Sequence, residues 1–142
     1  MSAELPLKAG FTWPVRVYYE DTDAAGIVYH ANYLRFMERA RTEWLRALGF
    51  EQDQLAENEK VVFVIYRSDV EYLKAARFNE MLEVHSSIKN VRGAIIEFAQ
   101  SISNLSSTLV CRARNHVACV DVNSLAPRRI PRPLIKVINR GY

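Results

Sequence analysis

The chain reads as an α+β domain in which one antiparallel sheet wraps a single long helix. Three observations predict this: a strong helical stripe early in the chain, several β-patterned runs with hairpin turns after it, and no internal repeat or low-complexity segment. At 142 residues, almost half of them apolar, the length suits one domain spanning 1–142 with one core.

The elements follow in order. Val15 to Tyr19 is a short β-rich run that leads into Glu20-Asp21-Thr22-Asp23-Ala24-Ala25-Gly26, a polar loop of small residues ending in glycine. From Ala31 to Leu48 helix formers dominate, and Leu34, Met37, Ala40, Trp44, Leu45 and Leu48 set an apolar stripe broad enough to need cover on more than one side. Gly49 is placed to end that helix. Glu51 to Lys60 is a polar connection. Val61 to Tyr66 is then nearly continuous in apolar and β-forming residues, with Asp69 to Leu73 as an extension, and this reads as a strand covered on both faces. Leu82, Val84 and Ile88 alternate with Glu83, His85 and Lys89 before the turn at Asn90 to Gly93; Ile96, Phe98 and Ile102 alternate beyond it. A second turn at Asn104 to Ser107 opens a strand from Thr108 to Val122, after which Pro127, Pro131 and Pro133 are expected to interrupt regular structure. The strands after the helix read as a meander of about four. A curved sheet of this kind leaves edges, so a homodimer or homotetramer is expected.

Composition narrows the function. A formal charge of +3 does not demand a polyanionic partner. Met1 to Gly10 lacks the pattern of a secretory signal, and no later stretch has the length of a membrane span. Cys111 and Cys119 fall in one strand, where eight residues at about 3.3 Å each hold them roughly 26 Å apart, beyond disulfide reach. Both read as reduced structural cysteines, and the expected location is cytoplasmic. His30, His85 and His116 are scattered without metal-ligand spacing, and no Cys-x-x-Cys is present, so no metal is expected. Neither a Gly-x-Ser-x-Gly elbow nor a glycine-rich phosphate loop occurs.

The densest polar cluster is Asp21, Asp23 and His30, with Asn32 and Tyr33 behind it, at a strand-to-helix junction. The first N–H groups of a helix have no intrahelical partner and carry the positive end of its dipole. They suit a developing oxyanion, and an Asp beside them can attack an acyl carbon or act as general base on water. On residue type alone, turn, capping and packing roles for Asp23 and His30 are the commoner ones.

The stretch VRVYYEDTDAAGIVYHANYLRFMERARTEWLRALG, Val15 to Gly49, resembles the opening of the 4-hydroxybenzoyl-CoA thioesterase and YbgC-like branch of the hotdog superfamily. The resemblance rests on Asp-x-Asp-x-x-Gly-x-Val-x-His-x-Asn-Tyr, here Asp21, Asp23, Gly26, Val28, His30, Asn32 and Tyr33, followed by a helix. It continues through Val70 to Arg77 and Ala118 to Asp121. It implies a hotdog fold, a five-stranded antiparallel sheet around one long central helix, with subunits paired so that active sites lie at the dimer interface. It also implies hydrolysis of an acyl-CoA, with Asp23 as nucleophile or general base, the His30 N–H as oxyanion donor, and a structural role for Asp21. CoA would then be substrate and no cofactor would be needed. Candidate substrate contacts are Tyr29 beside His30, Arg67, Lys74 and Arg77 near one strand end, Arg92 and Gly93 in the hairpin, and Arg128 with Arg129 near the tail. The basic groups among them would pair with the CoA phosphates. The similarity suggests an acyl carrier protein as a further partner. Competing readings are a regulatory acyl-CoA binder without turnover, a hydratase or dehydratase on the same fold, and nucleic-acid binding through Arg112, Arg114 and the Arg128 to Arg140 tail. The aromatic interleaving that the last would use is weak.

Overall fold

The computed structural model describes residues 10–140; the signal-peptide reading of the first residues and the ends of the 1–142 domain therefore lie largely outside what it describes. Five strands, β1 (Phe11–Arg16), β2 (Val61–Tyr72), β3 (Met81–Arg92), β4 (Ile95–Asn104) and β5 (Leu109–Asp121), form one antiparallel sheet in the order β1-β3-β4-β5-β2. Three helices accompany it: α1 (Asn32–Ala47), α2 (Gln52–Asn58) and α3 (Arg132–Asn139).

α1 is the long helix expected, and its buried side chains follow a helical stripe: Tyr33, Phe36, Met37, Ala40 and Trp44. Arg35, Glu38, Arg39 and Arg46 are exposed on the far side, while Trp44, Leu45 and Leu48 pack with Leu134 and Ile138 of α3 as well as with the sheet. Gly49, at φ +95°, ends it; the Phe50 N–H donates to the Leu45 carbonyl and the Gly49 N–H to that of Arg46, as a left-handed terminating residue requires.

Four further expectations change. The first strand lies at Phe11–Arg16, and Tyr19 belongs to a 3₁₀ turn. The strands do not run as a simple meander: β2 pairs with β5, leaving β3, β4 and β5 as the consecutive set. β2 is therefore an edge strand, and Val64, Ile65 and Tyr66 are 39%, 44% and 56% exposed rather than covered on both faces. Two helices break stretches read as irregular. α2 lies within the polar connection, anchored by Leu55, and α3 follows Pro131, a residue suited to a helix start because it needs no N–H partner there.

Between α1 and the sheet the core divides in two. One cluster joins Tyr33, Phe36 and Met37 to Val15, Leu82, Val84, Ile102 and Ala113; the other joins Trp44 to Phe98, Val117, Ile130, Leu134 and Ile138. A buried polar network sits among these elements. Gln100 Nε2 donates to the Met37 carbonyl at 3.0 Å and to Ser86 Oγ at 2.8 Å, while its Oε1 accepts from Asn115 Nδ2 and Arg41 Nη1, each at 2.8 Å. Ser68 Oγ donates to Asn115 Oδ1 at 2.7 Å. Every polar atom of the Gln100 amide is satisfied, as burial demands, so the network pins α1 to four strands. Burial lowers the Arg41 guanidinium to about 10.

Candidate active site

The loop between β1 and α1 is held by Asp21, which is 3% exposed. Its Oδ2 accepts the Tyr18 N–H at 2.8 Å, its Oδ1 accepts Asn32 Nδ2 at 2.9 Å, and its carbonyl accepts the Tyr29 N–H at 2.9 Å. One carboxylate thus ties the 3₁₀ turn to the first residue of α1. The Asp21 and Asn32 spacing in the sequence was the visible sign of this clamp, although Asn32's partnership was not read from it.

Asp23 is exposed two residues on. Its Oδ1 accepts the Ala25 N–H at 2.8 Å, its N–H donates to the Ile27 carbonyl, and its carbonyl accepts from Gly26, which turns at φ +79°. The turn role considered for Asp23 is therefore real, yet it uses one carboxylate oxygen; Oδ2 has no protein partner among the described residues. At the helix start the Asn32 N–H donates to the Tyr29 carbonyl, whereas the N–H groups of His30 and Ala31 meet no acceptor among the described residues.

His30 lies over an open cavity of about 290 Å³ lined by Ile27, Val28, Tyr33, Tyr72, Leu73, Lys74 and Ala75. Its ring centroid is 4.5 Å from that of Tyr29 and 6.0 Å from that of Tyr72. Tyr33 OH accepts the Ala76 N–H at 3.3 Å, and burial holds the Tyr33 and Tyr72 phenols above their usual range, so both stay protonated near neutrality. Tyr72 and Leu73 were missed as site residues although the resemblance runs through them, because they sit at and just past the far end of β2 and nothing in their residue type marks a cavity wall. Asp23 is not among the walls of this cavity.

The predicted substrate contacts fall in two groups. Lys74 lines the His30 cavity, Tyr29 stacks on His30, and Arg77 is bridged to Ile27 through the backbone with its N–H on the Glu80 carboxylate at 2.5 Å. Arg67 is on edge strand β2, paired with Asp69 at 3.1 Å. Arg92, Gly93, Arg128 and Arg129 are at the opposite end of the sheet. There Arg92 shares a cavity of about 340 Å³ with Tyr66, Glu97 and His116, Gly93 closes the hairpin at φ +61°, Arg128 pairs with Asp121 at 3.1 Å, and the Arg129 carbonyl faces Cys119 Sγ. A 12-residue strand separates the groups by roughly 40 Å along the sheet. A larger groove of about 830 Å³ crosses the outer sheet face, but both of its arginines are already matched, Arg112 by Glu71 at 2.7 Å and Arg114 by Glu97 at 2.8 Å. Among the described residues, no cluster of His, Cys, Asp and Glu could hold a metal ion, and no helix is long and apolar enough to cross a membrane.

Comparison with known proteins places this architecture. The Thioesterase-like superfamily profile matches residues 17–138. The chain is 48% identical over 125 residues to the acyl-CoA thioester hydrolase YbgC of Escherichia coli O6:H1, covering 88% of this chain and 92% of that one. It is 44% identical over 126 residues to the acyl-CoA thioesterase YbgC of Haemophilus influenzae, covering 89% and 92%. A probable thioesterase from Bartonella henselae superposes with a TM-score of 0.82 at 35% identity, covering 87% of this chain and all of that one. A 1,4-dihydroxy-2-naphthoyl-CoA thioesterase from Synechocystis superposes at 0.84 with 23% identity over 91% and 95%, a likeness of fold alone. The chain thus has the hotdog fold and belongs to the thioesterase-like superfamily, among relatives of the YbgC type.

Proposed function

We propose that this protein hydrolyses the thioester of an acyl-CoA, releasing the free acid and CoA. The observation that carries the reading is the pairing, on one short loop, of a carboxylate oxygen of Asp23 and the N–H groups of His30 and Ala31 at the start of α1, none of which has a partner among the described residues. Those donors suit the oxyanion of a tetrahedral intermediate, stabilised further by the helix dipole. Asp23 acts as general base, taking a proton from the attacking water, or as nucleophile, forming an acyl-carboxylate anhydride that water then opens. Either route breaks the same carbon–sulfur bond and expels CoA thiolate, and neither needs a cofactor. Names of relatives such as acyl-CoA thioester hydrolase support the substrate class.

The site is completed, on this reading, by a second copy of the chain. β2 is an edge strand with exposed Val64, Ile65 and Tyr66, a row that calls for a partner. Antiparallel pairing of two β2 strands about a twofold axis sets the Tyr72 end of one beside the Val61 end of the other. Arg92, Gly93, Arg128 and Arg129 share that second end, so the two groups of cations would converge on one CoA through the dimer. Cys111 and Cys119 are both free and buried, in keeping with cytoplasmic action.

The test is thiol release from short, long and aromatic acyl-CoAs by the wild-type protein. Turnover of any member upholds the reading and names the acyl class. Tight binding of acyl-CoA without turnover would replace it with a regulatory or carrier-partner role.

A further inference from the structure

The net charge of +3 hides a sharp division. Residues 122–142 hold five of the nineteen Lys and Arg and none of the sixteen Asp and Glu. That stretch alone carries +5, and the remaining fourteen cations and sixteen anions leave the rest of the chain at −2. The structure turns this asymmetry into a surface. Arg132 and Lys136 stand four residues apart on one row of α3, with about 6 Å between them along the axis, and Arg140 follows at the helix's C-terminal cap. Arg129 is exposed just before it. The opposite side of α3 is used up in the core, where Leu134 and Ile138 are 2% exposed, so the helix has no apolar face left to insert or to pair with another helix.

What sets this surface apart from the other charged regions is that its own stretch of chain holds no acid. On the sheet, Arg67, Arg112 and Arg114 are each matched by a carboxylate within the chain, whereas no ion pair among the described residues engages Arg129, Arg132 or Lys136. The acids at the same end, Asp53, Glu57 and Glu59, are on or beside α2, and Asp121 is taken by Arg128. Between Asp121 and Arg128 the chain makes a tight turn with Leu125 on it, 61% exposed at φ +60°, an apolar side chain presented beside the basic stretch.

From these features we infer that the α3 end docks on an anionic phospholipid surface. Cations spread along one exposed helix face fit a broad plane of negative charge better than one bound anion, and attraction to such a plane accumulates residue by residue. A neighbouring exposed leucine adds a shallow apolar contact at the interface. Because α3 keeps its own apolar side in the core, the attachment is mainly electrostatic, reversible and salt-sensitive. Within one subunit α3 is at the end of the sheet opposite Asp23, and in the proposed dimer that end adjoins the partner's site, so the inference rests on Arg132 and Lys136, to which the thioesterase reading gives no role.

The experiment is sedimentation of the full chain with vesicles of phosphatidylcholine alone or with one third phosphatidylglycerol. The expected result is binding to the anionic vesicles only, lost in high salt, and weakened at least about tenfold by the double reversal Arg132→Glu with Lys136→Glu. The matched reversal Arg35→Glu with Arg39→Glu, on the exposed side of α1, changes net charge equally and should leave most of the binding; melting curves verify that both variants fold. The inference is overturned by equal binding to neutral vesicles, by no binding to either, or by equal loss in the two variants. It is also overturned if the α3 reversal raises KM for a short, water-soluble acyl-CoA, which would assign the row to the CoA phosphates. Tighter, salt-sensitive binding to single-stranded RNA than to the vesicles would overturn it in favour of a nucleic-acid surface.

Discussion

The two ends of the sheet are built for different ends. Around Asp23 the chain is loop, held by the buried carboxylate of Asp21, and it leaves backbone donors and a carboxylate oxygen without partners among the described residues. At the opposite end Trp44, Phe98, Leu134 and Ile138 seal the space between α1 and the sheet. Exposed donors and a carboxylate oxygen gather where chemistry is proposed, whereas the packed end encloses its unpaired polar atoms, Trp44 Nε1 and His116 Nδ1, away from solvent. The Gln100 and Asn115 network lies between, joining the middle of α1 to the strands so that the helix start is held relative to the sheet. The lesson is that stability and activity should separate by location.

The largest effect expected is on the packed end. Trp44→Ala should cost about 3–5 kcal/mol of stability, read from urea unfolding, by leaving a cavity against Phe98 and Leu134. Its kcat per folded molecule should stay close to wild type; a large fall would break the separation. Asp21→Ala comes next, because it leaves the Tyr18 N–H and the Asn32 amide without their acceptor. A loss of about 1–3 kcal/mol is expected together with lower activity, so this variant should couple both readouts. His30→Ala sharpens the comparison from the other side: if the backbone N–H is its main contribution, kcat/KM should fall by about tenfold or less with the melting temperature unchanged. The smallest effect is at Cys111, where burial pushes the thiol up to about 12. At neutral pH it is un-ionised and should resist thiol reagents until denaturant is added, as a time course of labelling would reveal.

How far the sequence could be read follows the same physics. α1 was legible because its buried residues repeat at helical spacing and Gly49 marks its end. α2 escaped because Leu55 is its one buried residue, too little to make a stripe, and α3 was masked by prolines that in fact sit at its start. β1 was placed too late: Phe11–Arg16 contains Pro14, which weakens its strand pattern, and β1 is an edge strand pairing with β3 alone, where proline is tolerated. The apolar run of β2 looked doubly covered for the opposite reason, since composition cannot tell a buried strand from an edge strand awaiting a partner. At the site, the Asp23 and His30 spacing was legible locally. The cavity walls Tyr72 and Leu73 come from about forty residues away, and strand direction, which separates Lys74 and Arg77 from Arg92 and Arg128, is a property of topology rather than of any motif.

The central claim is that the Asp23 carboxylate drives thioester hydrolysis. Its most direct test is thiol release from an acyl-CoA turned over by the wild type, measured with Asp23→Asn alongside circular-dichroism melting. The substitution keeps the side chain's shape and its Oδ1 acceptor for Ala25, so the fold should hold while kcat falls by roughly a thousandfold. A folded Asp23→Asn protein with near-normal turnover would contradict the account.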